Sequence, residues 1–546
     1  MPWPQAYDPL HNTWLSALLA SLPILILLGS LALLRIKAHF AALLGLTTAL
    51  SLALLVLAMP PNKALWAAGL GAAYGLFPIG WIIINIIFLY QLTQAKGSFA
   101  VMRDSLTGIT RDRRLQVLLI AFCFGAFFEG AAGFGTPVAV TAAILIGLGF
   151  RPLQASGLSL IANTAPVAYG ALGTPILALA AVTGLEVKTL SAMVGRQLPF
   201  FSIIVPFWLV WAFAGFRKMA EVWPALAVAG ASYAVPQFLV SNYHGPWLVD
   251  IIASLCSMVA LILFLLVWRP KRPYLLPGEE EAGRETSGPA HTRSEIIRAW
   301  LPWVVLSLVV FLWGLPRVRS FLDGIFSLQV ALPALDGLIL RMPPVVALPT
   351  AERAVFSFSA LSFTGTGILV AALAAAVLMG LRPGRVLRIY GQTVRSLRFT
   401  LLTVAAMLAL GTVTRYSGLD AMLGLAFART GILYPFFGTL LGWLGVALTG
   451  SDTSSNVLFG SLQRISAERL GLSPVLMAAA NSSGGVMGKM LNAQSIVVAA
   501  SATQWYGREG EILRYVFFHS LALAGLVGML VTLQAYVFPF TRMVLP

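Results

Sequence analysis

Residues Phe128–Phe150 read FEGAAGFGTPVAVTAAILIGLGF: an ionisable side chain, glycines at 130, 133 and 135, and a Gly-Thr-Pro break, all inside apolar sequence. An ionised carboxylate at the centre of a bilayer helix costs about 2.5–3.5 kcal/mol on insertion scales, so such a residue normally faces a polar cavity, a partner or a transport path. Glu129 is therefore read as functional. Its structural alternative is an acceptor for helix-end amides.

The surrounding chain supplies the membrane. Of 546 residues, 58% are hydrophobic and 10% charged, whereas soluble chains carry about a quarter charged residues. Mean hydropathy is +0.86. Apolar runs of about 20 residues, enough to cross a hydrocarbon core of about 30 Å, recur along the whole length. The first run, Trp14–Leu34, is followed by Arg35 and Lys37 rather than a cleavage site, so it is read as a retained span. The net charge of +16 sits mainly in short loops and reads as membrane orientation rather than nucleic-acid binding. Cys123 and Cys256 both fall in apolar runs and are expected to be small buried residues, with no disulfide or metal cluster.

Basic clusters at Arg35/Lys37, Lys96–Arg114, Arg217/Lys218, Arg269–Arg298 and Arg382–Arg398 are expected in the cytoplasm. With the N-terminus outside, spans at 14–34, 39–58, 66–92, 197–214, 222–240 and 247–268 then alternate without a forced flip. Segments 115–128, 134–150 and 154–182 supply three further crossings, or two of them form a re-entrant hairpin. The Pro-, Gly- and charge-rich segment 269–298 is expected to be a cytoplasmic linker. It separates a first membrane half, 1–268, with a repeat motif at 125–182, from a second, 299–546, with a motif at 445–500. The irregular stretch 317–355 is placed outside.

The two motifs correspond. Gly450 follows Gly130 by 320 residues, and Asn481 follows Asn163 by 318, which indicates a weak duplication. Segment 115–128 enters its motif from the cytoplasmic side. Segment 431–449 enters from outside if 399–427 crosses once. The repeats are then inverted, the arrangement by which many secondary transporters build a midplane site from broken helices. The expected fold is an all-α polytopic membrane protein of about 12–14 transmembrane helices with inverted repeats, broken helices or re-entrant hairpins.

Candidate site residues follow from these breaks. Glu129 and Asp452, one acid per repeat, are candidates for proton coupling; Asp452 reads equally well as a helix cap or a sodium ligand. Gly135-Thr136-Pro137 and Gly173-Thr174-Pro175 each mark the start of a half-helix with free amides, or a simple proline kink. Lys489 could pair with a substrate carboxylate, snorkel, or neutralise Asp452. Arg415 competes for the substrate role, though its Thr-Arg-Tyr-Ser setting looks like a helix end. The neutral candidates for binding are Asn163, Thr164, Tyr169, Ser451, Ser454, Asn456, Asn481, Ser482, Ser483, Asn492 and Gln494. Any one of them alone could simply hold helices together. Asn85 and Gln91 are read as packing groups. No HExxH, GxSxG or Walker-type motif occurs, and the five histidines are expected near span ends, away from the serine clusters. A membrane-embedded enzyme is therefore disfavoured; a channel is a further alternative.

The stretches GAFFEGAAGFGTPVAV (125–140), LIANTAPVAYGALGTPI (160–176), GSDTSSNVLFGSLQ (450–463) and AANSSGGVMGKMLNAQSI (479–496) resemble the lactate permease family of bacterial carboxylate transporters. The resemblance extends over nearly the whole chain. It implies proton-coupled uptake of L-lactate, D-lactate or glycolate across the bacterial inner membrane, no cofactor, and a relation to ion-transporter folds with re-entrant hairpins. Sodium coupling or a dicarboxylate substrate is the nearer rival; two substrate charges would ask for more basic residues than Lys489 and Arg415. A monomer and a homodimer both fit the sequence.

Overall fold

The computed structural model describes residues 2–545 except 33, 35, 108, 132–135, 276–290, 347 and 506–507. Half of the linker expected at 269–298 thus lies outside the described residues, as does Gly135. Among the described residues, eight helices are long and apolar enough to span a bilayer, Pro61–Lys96, Pro383–Ser417 and Glu509–Tyr536 among them. Pro152–Ala162 and Val167–Thr183 form a further span bent by 62°, and shorter apolar helices include Thr13–Leu27, His39–Leu55 and Thr364–Leu378. Large apolar side chains cover the outside of the bundle as well as its interior: Leu55 is 84% exposed and Val267 86%. A surface of that kind is solvated by lipid, where helices satisfy their own backbone groups. The chain is an all-α polytopic membrane protein.

Two opposite faces can be traced from polar anchors. On one, Trp3–Pro4 pairs in parallel with Ile339–Leu340, which in turn pairs with Thr350–Ala351. A second small sheet joins Leu328–Ala331 to Val355–Phe358, so the stretch 317–355 is more ordered than its composition suggested. Lys63 Nζ donates to the carbonyls of Ala334 (3.1 Å) and Leu338 (3.3 Å), tying the start of Pro61–Lys96 to this layer. Thirty-two residues after Lys63, about 48 Å along the span at 1.5 Å per residue, the Ala95 carbonyl accepts from Arg385 on the other face. That face also holds the described ends of the linker: Arg113 N donates to Tyr274 O at 2.9 Å.

Each repeat motif is a hairpin that returns to the face it entered. In the first, Arg113–Ala131 is followed by Thr136–Gly147. The Arg113 guanidinium at its start lies 5.7 Å from the Phe150 ring just past its end. In the second, Tyr434–Thr449 turns at Gly450 and Ser451 into Asp452–Leu470. Arg429, before this hairpin, reaches Thr13 Oγ1, and Arg469 at its end donates to Pro344 O at 2.7 Å. The first hairpin therefore opens on the linker face and the second on the N-terminal face, which is the inversion. The crossing expected at 399–427 is corrected: Pro383–Ser417 crosses alone, and Leu419–Phe427 is a separate helix packed on the N-terminal face.

A broken helix follows each hairpin. Pro152–Ala162 gives way to Gly170–Thr183, and Pro474–Gly488 to Ala493–Ala502. The first is bonded to the second at the linker face, Ser156 Oγ lying 2.9 Å from Thr503 Oγ1. Asn85 and Gln91 are packing groups: Asn85 Nδ2 donates to Trp81 O and Gly365 O, and Gln91 Oε1 accepts from Thr393. Cys123 is buried, but Cys256 is exposed, against expectation; an apolar run in lipid has an outside as well as an inside.

Candidate functional site

The tips of the two hairpins and the breaks of the two helices meet around one cavity of about 320 Å³. Its wall includes Glu129 from the first tip, Gly450 to Ser454 from the second, Gly170, Ala171 and Thr174 from the first break, and Lys489 and Ser495 from the second. Inverted repeats with breaks at mid-depth place exactly such elements face to face.

Local chain chemistry explains each break. Ala171, Leu172 and Gly173 adopt left-handed conformations, with φ of 44°, 57° and 78°. Only glycine takes that region without strain, and non-glycine residues held there cost on the order of 1–2 kcal/mol each. Thr174 and Pro175 then start the regular helix, as Gly173-Thr174-Pro175 predicts, and proline gives up an amide that has no intrahelical partner there. In the second hairpin Gly450, at φ 79°, ends one helix, and Ser451 caps the next by accepting from Ser454 N at 3.3 Å. Asn492 caps Ala493–Ala502 through Ser495 N at 2.9 Å.

Three charged side chains define the electrostatics. Glu129 is 4% exposed, Asp452 2% and Lys489 6%. The ammonium acts on both acids. Its hydrogen bond goes to Gly450 O at 2.7 Å, and among the described residues it closes no ion pair within 4.0 Å. Lys489 therefore neither snorkels nor locks onto Asp452. Asp452 Oδ2 accepts from Ser482 Oγ at 2.5 Å and Asn456 Nδ2 at 3.2 Å, while Oδ1 has no partner. Glu129 Oε2 is also unpartnered. Gly170 is needed beside it, because a Cβ there would stand 2.8 Å from Glu129 Oε1.

The other sequence candidates divide in two. Thr174, Ser451 and Ser454 line the cavity with the charged residues. Asn456, Asn481, Ser482 and Ser483 stand behind the wall. Asn456 Nδ2 also donates to Pro175 O, and Asn481 Nδ2 to Asn456 Oδ1 at 2.9 Å, so these amides bind hairpin to broken helix. Tyr169 turns its hydroxyl to Ser191 O at 2.7 Å, and Thr164 bonds Ile161 O. Asn163 is buried beside Glu129, on whose carboxyl it acts. The side chains of Thr136 and Gln494 lie outside the described residues. Arg415 is on the N-terminal face, 3.5 Å from Glu352 and bonded to Ala181 O and Val182 O, at the helix end its setting suggested.

Sequence reasoning missed one whole wall. His39, Phe399, Thr403 and Met407 line the cavity toward the linker face. The His39 ring stacks on Phe399 at 4.6 Å, so the expectation that every histidine lies away from the serine clusters is corrected. Nothing in two apolar spans over 350 residues apart signals that they share a rim. Beyond the cavity, buried Ile79, Ile83, Ala178, Val182, Val404, Leu408 and Val457 form a separate apolar cluster. On its far side a second cavity, of about 390 Å³, is walled by Tyr74, Arg353, Arg415 and Tyr416 at the N-terminal face.

A polytopic bundle with inverted repeats around a charged central cavity is a membrane transporter by class. A profile of the L-lactate permease family matches residues 16–538, and the chain belongs to that family. It is 48% identical to the glycolate permease GlcA of Escherichia coli K12 over 551 residues, with 98% of both chains covered. It is 47% identical to the L-lactate permease of Salmonella typhimurium over 542 residues, again with 98% of both covered. Among solved structures, the YdaH transporter of Alcanivorax borkumensis aligns over 80% of this chain and 87% of its own, at a TM-score of 0.33 and 15% identity.

Proposed function

We propose that this protein takes up small 2-hydroxymonocarboxylates, L-lactate with D-lactate and glycolate, in symport with a proton, and that its N-terminal face is outside. The names of relatives nearly half identical over the full length support the substrate class. The observation that carries the coupling is one buried lysine shared by two buried acids, one at each hairpin tip. With both acids ionised the trio sums to a single negative charge and repels an anion. One proton brings it to neutrality, and the substrate carboxylate then enters beside Lys489 without leaving a large uncompensated charge in a low-dielectric site.

The cavity wall runs from the tips toward His39 and Phe399, so this conformation is the one open on the linker side. The seven-residue apolar cluster closes the route to the N-terminal cavity. Transport alternates these two closures. Thr174, Ser451 and Ser454 and the free amides after the left-handed turn supply donors for the carboxylate and 2-hydroxyl. Basic loop residues at Arg217, Lys218 and Arg382 on the linker face support its placement in the cytoplasm.

Proteoliposomes test the reading. Wild-type protein accumulates labelled L-lactate when a proton gradient is imposed, and Glu129→Gln does not; accumulation by that variant would refute its proton role. Counterflow of L-lactate is expected to be blocked by glycolate and D-lactate but not succinate.

A further inference from the structure

Behind the first hairpin tip lies an acid that the cavity does not use. Asp250, in the first turn of Val249–Val267, is 1% exposed. Its Oδ1 accepts from Tyr233 Oη at 3.1 Å, and its Oδ2 has no partner. It abuts the residue next to Glu129: a Cβ on Gly130 would come within 2.7 Å of Asp250 Cβ. Among the described residues the groups that act on it are Tyr233 and Glu129, neither of them a cation. Lys489 serves Glu129 and Asp452 but not this residue. A buried carboxylate with one hydroxyl donor and no cation is costly, whereas the neutral acid is not.

Polar groups continue from Asp250 toward the N-terminal face. Asp250 acts on Tyr169, whose hydroxyl lies with Ser241 Oγ around Gly195. Asn242, half-buried, donates to Ser241 Oγ at 3.3 Å. Tyr233 on the other flank is bounded by Cys123, itself 3.4 Å from Ser257 Oγ.

We propose that Asp250 is a second proton-carrying carboxyl, through which Glu129 receives its proton from the N-terminal face along a path separate from the substrate cavity. The proposal rests on the proton coupling argued above. The proton leaves the Asp250 carboxyl for the Glu129 carboxylate, and Asp250 regains one from water on the side of the N-terminal face. No other bond changes, and one proton crosses per substrate.

The test separates steps that move net protons from one that does not. In proteoliposomes, Asp250→Asn is expected to lose at least tenfold in L-lactate accumulation driven by a proton gradient while keeping counterflow of labelled L-lactate within about threefold of wild type. That factor of ten corresponds to about 1.4 kcal/mol. Asp250→Glu should restore accumulation, and Tyr233→Phe, which removes one hydroxyl, should shift the pH profile of driven uptake but not of counterflow. Accumulation by Asp250→Asn equal to wild type would overturn the proposal. So would an equal loss of both activities in Asp250→Asn together with an unmoved profile in Tyr233→Phe, which is the behaviour of a packing residue. Failure of the wild type itself to accumulate L-lactate under a proton gradient would instead sink the coupling reading.

Discussion

At the scale of single residues, the question is why one lysine sits between two acids without pairing to either. Its hydrogen bond to the Gly450 carbonyl holds the ammonium at the cavity wall, where it remains available to an incoming carboxylate. Loss of a charge-assisted hydrogen bond costs about 1.5–3 kcal/mol. Lys489→Gln is therefore expected to raise the KM for L-lactate roughly 10- to 100-fold; an unchanged KM in zero-trans uptake would exclude contact with substrate. Gly170 gives a steric counterpart. Gly170→Ala puts a methyl group 2.8 Å from Glu129 Oε1, and driven uptake should fall while the folded protein still purifies as a single peak. These charged positions were legible in the sequence because a charge in an apolar run has few uses. Asp250 was equally charged but sat at the head of an ordinary-looking span, and only the packing of Gly130 against it distinguishes it. The amides were legible as a group and not one by one, since Asn456 and Asn481 use in helix packing the same donors that would bind a solute.

At the scale of elements, each hairpin depends on what clamps its base and its tip. Arg114, fully buried, bonds Asp112 at 2.7 Å and Glu221 at 2.8 Å and so fixes the first hairpin to the neighbouring linker-face turn. Removing one partner of a buried pair costs about 3–5 kcal/mol. Arg114→Ala should lower the apparent Tm in detergent sharply, whereas Arg469→Ala at the exposed base of the second hairpin should change it little. The second hairpin is clamped by close backbone approach: a Cβ on Gly442 would lie 2.0 Å from Asn481 O. Glycine spacing of this kind is visible in the sequence, but which helix it faces is not. The Gly-Thr-Pro tripeptides did forecast helix starts, because proline at the first turn and glycine before it follow from backbone geometry alone. Hairpin returns and full crossings satisfy the same count of basic loops, so the sequence does not distinguish them.

At the scale of the whole molecule, inverted repeats make the two faces unequal only through which closure is shut. On the proposed reading, Thr403 lies on the open wall and the cluster around Leu408 and Val457 bars the opposite route. A cysteine at Thr403, in a chain whose exposed Cys256 is replaced by serine, should react with a membrane-impermeant thiol reagent from the linker face and be protected by L-lactate. Thinning the barrier with Val457→Ala should increase labelling from the N-terminal face; labelling unaffected by either side or by substrate would refute this arrangement of closures. The duplication in the sequence carried the inversion. The rim of His39 and Phe399 was invisible because it is made by two spans whose own patterns are uniformly apolar.

The short parallel pairing of Trp3–Pro4 with Ile339–Leu340, and the bonds from Gln5 to the carbonyls of Arg415 and Tyr416, bear on biogenesis. These residues are synthesised about 340 to 410 residues ahead of their partners, so this segment waits beside a half-built bundle and docks late. A bulky fusion placed ahead of Trp3 would therefore interfere with the last stage of assembly rather than with insertion of the first helix.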